Sequence, residues 1–514
     1  MTLIANGTII DGSGRGAYAG SVLVDGEKII DVVRQGDALP QDVETIDASG
    51  CLVTPGFIDC HAHSDAYLVI EPDAPSKIAQ GVTTEINGQC GGSAAPRYGE
   101  ARLSSDWASI LGERLNWRSM AEYRGELEKA KIALNTVQFV GHNTLRSSVV
   151  GYAPREATAE ELKRMVRLLE ESLDAGGFGL STGLVYQPGK YAAQSEVLAL
   201  AKAAADKGAF YSTHMRSEGD ELLGSVDEVV RLAEATGIRA QISHIKTSQR
   251  RNWHKIDALL EKMDGAVALG VLMGADRYPF CAAGTDLDIV FPDWAGVGGA
   301  FEEMKRLADP TLRARIESEL NASDRDWSTV MIGGVWHEDN RAYCGRFVSE
   351  LTDDPGRFVC DVLVRDKCRT GGFFFGMSEG NLKRILEKPW VLPGSDASLR
   401  CPWGALGEDH PHPRSYATMP EFYRRVKELV GREAAIRRMT AMPAERFGLK
   451  GRGVLAKGAF ADIVVWREDE FCGLSTYAEP HRFSGGMEAV MVNGAIPYLR
   501  GKFTGRRAGK FIER

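Results

Sequence analysis

Phe178-Gly-Leu-Ser-Thr182, Phe210-Tyr-Ser-Thr-His214, Arg239-Ala-Gln-Ile-Ser-His244 and Val271-Leu-Met-Gly-Ala-Asp276 are four short runs in succession, each reached through a segment of helical periodicity. Thr158 and Glu161 have the spacing of a capping box. Leu162, Met165, Val166, Leu169 and Leu173 then fall on one helical face, and Gly176 supplies the stop. Further helices are predicted near Ser195–Ala205, Ser225–Ala235 and Trp253–Met263, with Gly208 and Gly237 as punctuation. A strand reached repeatedly through a helix is the rhythm of a parallel sheet. Working outward, the same rhythm places strands at Phe57–His61, Thr83–Asn87, Val137–Val140 and Trp390–Gly394. The total is the number that closes a barrel, so the predicted class is α/β, a (β/α)8 TIM-like barrel over residues 55–444.

Both ends of the chain differ from this middle. Leu3–Ile10, Ser21–Asp25 and Lys28–Val33 alternate apolar and polar residues around glycine turns, and Ala461–Trp466, Ala489–Val492 and Ile496–Leu499 repeat the texture. Residues 1–54 and 445–514 are therefore predicted to form one composite β-sandwich. Between Asp276 and Trp390 the connection is far longer than the usual few residues. It contains a strand-like Val330–Trp336 and a helix-like Met304–Ala308, and residues 281–365 are predicted to be an insertion or lid at the barrel mouth, after the seventh strand.

Composition narrows the function. A net charge of -8 with no Lys/Arg cluster argues against a nucleic-acid partner. The apolar run Ala266–Ala275 is far short of the roughly 20 residues of a membrane span. The start carries no secretory signal, and nine scattered cysteines, an odd number, predict mostly free thiols in a reducing, cytoplasmic compartment. A small-molecule substrate is the expected partner; the oligomeric state is left open.

The predicted strands end, one after another, in groups capable of chemistry: His61 and His63, Cys90, His142, His214, His244, Asp276 and Asp396. Active sites of such barrels lie at the C-terminal ends of the strands. His61 and His63, two apart on a strand, point the same way and suit a borderline-soft divalent metal. His214 and His244 end consecutive strands and so stand side by side. Asp396 is read as a metal ligand, a general base, or both. Cys60 alternates away from the site and is read as packing.

These residues, with Pro55-Gly-Phe-Ile-Asp-Cys-His-Ala-His63, Gln89-Cys-Gly91, Val140-Gly-His142, Gly179-Leu-Ser-Thr-Gly183, Ser243-His-Ile-Lys246, Asp276-Arg-Tyr-Pro279 and His412-Pro-Arg414, resemble the amidohydrolase superfamily, and within it the N-acyl-D-amino-acid deacylase (D-aminoacylase) family. The resemblance covers nearly the whole chain. It implies a zinc enzyme that hydrolyses the linear amide of N-acyl-D-amino acids by metal-activated water, with Asp396 as general base and acid. It also implies that Cys90, His214 and His244 hold a tight Zn2+, and that His61, His63 and Asp396 form a second, weaker or absent site. Arg414, Lys246 and Tyr278 would take the substrate carboxylate, with His142 and Tyr186 also lining the substrate. The fourth strand lacks the bridging lysine of many relatives, which counts against the alternative of a cyclic amide hydrolase of the dihydropyrimidinase or hydantoinase kind. A related small amide or peptide hydrolase and an inactive scaffold are the other readings. Glu85, Asn87, Arg277 and Arg400 depart from the family pattern, and Arg400 is read either as a second cation for a diacid or as solvent-facing.

Overall fold

The computed structural model describes residues 1–102 and 105–514. The helix after Thr158 spans Ala159–Asp174, and its capping box is formed: Thr158 Oγ1 accepts the Glu161 N–H at 3.3 Å, and Glu161 Oε2 accepts the Thr158 N–H at 2.8 Å. Met165, Leu169 and Leu173 are its buried face. The next helices span Gln194–Asp206, Leu222–Thr236 and Ile256–Ala268. The last starts later than predicted, because Arg250–Lys255 forms a 3-10 turn before it.

Between these helices Gly179–Gly183, Phe210–His214, Arg239–Ile242 and Met273–Arg277 pair side by side, all parallel. Val140–Gly141 adds at one edge and Val391–Pro393 at the other. Phe57–Asp59, Val82–Asn87 and Asn135–Gln138 make a second parallel set. Two links join the sets. The Phe139 N–H donates to Asn87 O at 2.9 Å on one side; on the other, the Cys60 N–H donates to Pro393 O at 2.9 Å and Ala62 bridges to Ala397. Each predicted strand of the middle region is present, the third in two pieces.

The strand ends differ from the prediction. The ladders stop at Asp59, Ile242 and Pro393 rather than at His61, His244 and Gly394. His244 and Asp396 have φ of 36° and 50°, a left-handed conformation that cannot continue a strand. Gly394 is required beside them, because a Cβ there would lie 2.7 Å from the Cβ of His61.

The chain ends meet in one nine-stranded sheet, in which Leu52–Pro55 pairs antiparallel with Ile463–Trp466. Its core draws on both ends: Ile9, Val22 and Val53 pack with Ile463, Val465 and Met491. The last residues leave this sheet; the Ile512 N–H donates to Thr136 O, and Phe511 bridges to Thr136 beside the parallel strands. The long connection carries its own three-stranded antiparallel sheet, Ala283–Asp286, Gly371–Phe374 and Val330–Ile332. Its middle strand is Gly371–Phe374, so this unit runs past the predicted boundary at 365. Leu307, Ile316, Leu320, Val359 and Leu363 form its separate core. Among the described residues no helix is long and apolar enough to cross a membrane.

Candidate active site

Three residues at the C-terminal ends of the parallel strands adopt positive φ without being glycine: Cys90 at 53°, His244 at 36° and Asp396 at 50°. Such backbone costs on the order of 1–3 kcal/mol per residue and persists only where the surroundings impose it. Here the imposing contacts are specific. The His244 N–H donates to Asp276 Oδ1 at 2.7 Å, and the Asp396 N–H donates to His61 O at 2.8 Å. Close approach around Cys90 requires Gly183, where a Cβ would lie 2.0 Å from Cys90 O. The end of the fourth strand therefore has no room for a bridging side chain.

These turns aim the side chains at one point. Cys90 Sγ lies 3.4 Å from His61 Nε2 and 3.3 Å from His244 Nε2. Asp396 Oδ1 lies 3.4 Å from His61 Nε2 and 3.1 Å from His63 Nε2. The His214 and His244 rings stand 4.5 Å apart. The two ligand sets separated in the sequence analysis are thus contiguous, with Cys90 touching both. Behind the imidazoles stand carboxylates. His61 Nδ1 is 3.2 Å from Asp276 Oδ1, and His244 Nδ1 is 2.8 Å from Glu218 Oε1. That backing turns Nε2 of each ring toward the centre, the arrangement by which carboxylates orient metal-binding histidines.

Electrostatics agree with a cation at the centre. Burial pushes the Cys90 thiol up, but His61 and His244 outweigh it and hold the group well below the usual thiol range. Burial likewise opposes ionisation of Asp396, yet Arg414, then His244, keep its carboxyl well below the usual carboxylate range. Burial opposes charging the imidazoles, but Asp276 and Cys90 raise His61 well above the ordinary imidazole value; one thiolate and the carboxylates of Asp276, Asp396 and Glu218 thus crowd negative charge that a bound cation would balance. His61, Cys90, His244 and Asp396 each offer a ligand atom within 4.8 Å of the others, as do His214, Glu218 and His244. His214 Nδ1 is buried and has no hydrogen-bond partner among the described residues. A thiolate, imidazoles and carboxylates are a zinc donor set, so the residues present fit that metal.

Two cavities of about 510 and 530 Å3 meet at Cys90. Arg414 lines the first and Tyr186 the second. Arg414 Nη1 bonds Asp396 Oδ2 at 2.7 Å, and its Nη2 donates to Gly284 O at 3.0 Å. Tyr278 lies beneath it, 4.8 Å from the guanidinium carbon, with a buried hydroxyl that has no partner among the described residues. Burial pushes the Tyr278 phenol up, but Lys246, Arg277 and Arg414 bring it below its ordinary value. Lys246 is buried and ion-paired with Glu218, and neither it nor Tyr278 lines either cavity. The Tyr186 ring stands 4.9 Å from that of His214.

Several expectations are corrected. His142 does not line either cavity; it is fully buried, with Nε2 2.8 Å from Glu196 Oε1, and Glu196 also pairs with Arg146. The start of the helix His142–Val149 turns the imidazole into the protein. Asp276 supports His61 and His244 from behind. Arg400 lines the first cavity but is tied to Asp409 at 2.7 Å, so it does not point to solvent. Arg277 is turned away, donating to Phe280 O at 2.8 Å. Cys60 packs with Ile58, Ile86 and Phe139, as expected. Sequence reasoning missed Glu218, four residues past His214. The spacing His214-x-x-x-Glu218 was visible, but the residue lies on a loop beyond a strand, where spacing fixes no direction.

The sequence matches the amidohydrolase family over residues 44–316 and 373–498. It is 35% identical to an N-acyl-D-glutamate deacylase of Alcaligenes xylosoxydans xylosoxydans, covering 100% of this chain and 96% of that one. The structure aligns with the crystal structure of D-aminoacylase at a TM-score of 0.84, with 29% identity and coverage of 100% and 99%. It aligns equally with an N-acyl-D-glutamate deacylase from Bordetella bronchiseptica, solved with zinc and a phosphonate mimic of the tetrahedral intermediate, at a TM-score of 0.83, 30% identity and the same coverage. A strand-end cluster of thiolate, imidazoles and carboxylates, together with these end-to-end likenesses, leads to one statement of kinship: the chain belongs to the amidohydrolase family.

Proposed function

We propose that this protein hydrolyses the amide bond of N-acyl-D-amino acids, releasing a carboxylic acid and a free D-amino acid, with zinc at the strand-end cluster. The observation that carries the reading is the convergence of Cys90, His61, His63, His214, His244 and Asp396 beside the Arg414 guanidinium. The N-acyl-D-glutamate deacylase and D-aminoacylase likenesses supply the stereochemistry, which residue spacing does not encode.

Cys90, His214 and His244 would hold one zinc, and His61, His63 and Asp396 would offer a second position. Bound there, zinc supplies Lewis acidity toward the amide carbonyl and toward water. The chain does the rest. Asp396, ionised by its neighbours, takes the proton of the attacking water through Oδ1 and returns it to the departing nitrogen. Arg414 presents a guanidinium to the substrate carboxylate, with the Tyr278 hydroxyl and Lys246 completing the grip. Tyr186, beside His214, faces the reacting amide.

We read the ring of parallel strands as one (β/α)8 barrel over residues 55–444, and the terminal sheet as a composite β-sandwich of 1–54 and 445–514. The inserted unit is read as a wall of the substrate cavity, since Thr285, Arg369 and Phe373 line it. Nine free thiols support a cytoplasmic setting.

The test is a screen of zinc-loaded protein against paired N-acetyl-D- and N-acetyl-L-amino acids, with hydantoins and dipeptides alongside. Turnover of D substrates with no comparable L turnover is expected. Preferential opening of hydantoins would establish the cyclic-amide reading instead.

A further inference from the structure

Lys77 lies in the short helix Pro75–Ile78 and is wholly buried. Burying an ammonium is costly unless its donors are satisfied by charged or polar partners. Lys77 Nζ bonds Asp59 Oδ2 at 2.8 Å, Ser395 Oγ at 2.8 Å and Ala397 O at 3.0 Å, and lies 3.0 Å from Glu85 Oε1. Two of these acceptors, Ser395 and Ala397, flank Asp396 on either side. The other two are carboxylates of the strands Phe57–Asp59 and Val82–Asn87, the strands that precede His61 and Cys90.

The same partners carry a second layer of bonds. Asp59 Oδ1 accepts the Ser395 N–H at 2.8 Å and the His61 N–H at 3.3 Å. Ser64 Oγ donates to Glu85 Oε1 at 3.1 Å and accepts the Leu399 N–H at 2.9 Å. Three of these bonds, Ser395 to Asp59, Ser64 to Glu85 and Leu399 to Ser64, link one segment bearing a proposed ligand to another. Asp396 itself sits in left-handed backbone, a conformation it does not prefer, so the loop must be held from both sides. Lys77 touches neither cavity and no proposed ligand atom.

We propose that Lys77, acting through Ser395 and Ala397, is a positioning residue that sets Asp396 against the metal-binding histidines. The inference rests on the function proposed above. It explains the departure at Glu85: a carboxylate on the strand that leads to the cysteine is the counter-charge that makes a buried lysine tenable there. A hydrophobic residue at 77 would fill the space but leave Asp59 and Glu85 without a cation, and the Asp396 loop without its two outer tethers.

The test compares wild type, Lys77→Met, Ser395→Ala and the double variant. Ser395→Ala removes one hydroxyl, which meets Lys77 Nζ and also accepts the Ala397 N–H at 3.2 Å, both bonds holding the Asp396 loop, so it reports on the tether even if Lys77→Met folds poorly. For each single variant kcat should fall by about 10- to 100-fold, the cost of a misplacement near 1 Å, with KM changed less than about twofold. The double variant should be no worse than Lys77→Met, because both cut the same link. Zinc affinity, read by competition with a chromophoric chelator in the absence of substrate, should weaken by about 10-fold or more in Lys77→Met. Multiplicative losses in the double variant, or a Ser395→Ala protein with wild-type kcat, would overturn the proposal. So would wild-type zinc affinity in a folded Lys77→Met. If wild type turns over no N-acyl-D-amino acid, the functional reading fails, while the zinc titration still decides the role of Lys77.

Discussion

Asp396 and Arg414 form the pair on which the residue-scale chemistry turns. Burial pushes the Asp396 carboxyl up; Arg414 is the largest influence that lowers it, and the net shift is well below the usual carboxylate range. A base must be unprotonated to accept a proton, so activity is present above the Asp396 pKa and lost as pH falls through it. With Arg414 in place that pKa is depressed, and the loss occurs only in strong acid. In Arg414→Met the largest of the lowering influences is removed, and the acid limb of the kcat/KM profile should move to higher pH while KM for an N-acyl amino acid rises. A profile that stays fixed would show that Arg414 does not set the charge of Asp396. An unchanged KM would remove it from the carboxylate clamp. The same scale explains the error at His142: the strand rhythm located the residue, but Glu196 and Arg146 decided where its ring points.

At the scale of elements, the helix Ala159–Asp174 begins where its capping box dictates. Glu161 is held at about 2, chiefly by its bonds to Arg155 and then to the Thr158 N–H. A carboxyl lowered on folding stabilises the helix start above its unfolded pKa, and that contribution is lost as pH falls through about 2. Glu161 is largely solvent-screened, so the effect is local. Hydrogen exchange at the amide of Glu161 should quicken by about fivefold in Thr158→Ala, corresponding to ~1 kcal/mol for a lost N-cap. Equal exchange in the variant would mean that packing of Met165, Leu169 and Leu173 alone fixes the helix start. Strand ends obey a different rule. Their hydrogen-bond ladders yield to left-handed turns at His244 and Asp396, where side-chain and carbonyl acceptors replace the ladder.

For the whole molecule, the strand-end cluster ties together segments far apart in sequence, from His61 to Asp396. A cation seated among them should bind the folded chain and not the unfolded one. Ligand at 100 times its dissociation constant adds about 2.7 kcal/mol. Chelated protein should therefore melt at a lower temperature than zinc-loaded protein, and the shift should be abolished in Cys90→Ala. Identical melting curves with and without zinc would argue that the cluster holds no metal. The terminal sheet and the inserted unit each have a core of their own. The inserted unit lends Thr285, Arg369 and Phe373 to the cavity.

Alternating helix and strand signals, the capping box and the glycine stops determined the element order, because hydrophobic periodicity and turn chemistry are local properties of the chain. Strand ends also located the chemistry, since parallel strands bring all their C-terminal ends to the same edge of the sheet. The sequence could not determine direction. Whether His142 faces a cavity or Glu196, whether Cys90 serves one ligand set or touches both, and whether Arg400 reaches solvent or Asp409 depends on partners on other segments or on loop backbone that no periodicity describes. Glu218 and Lys77 stayed hidden for the same reason. Their roles come from burial beside residues brought together only by the packing of distant strands, and the cost of an unpaired buried charge is a property of the folded interior.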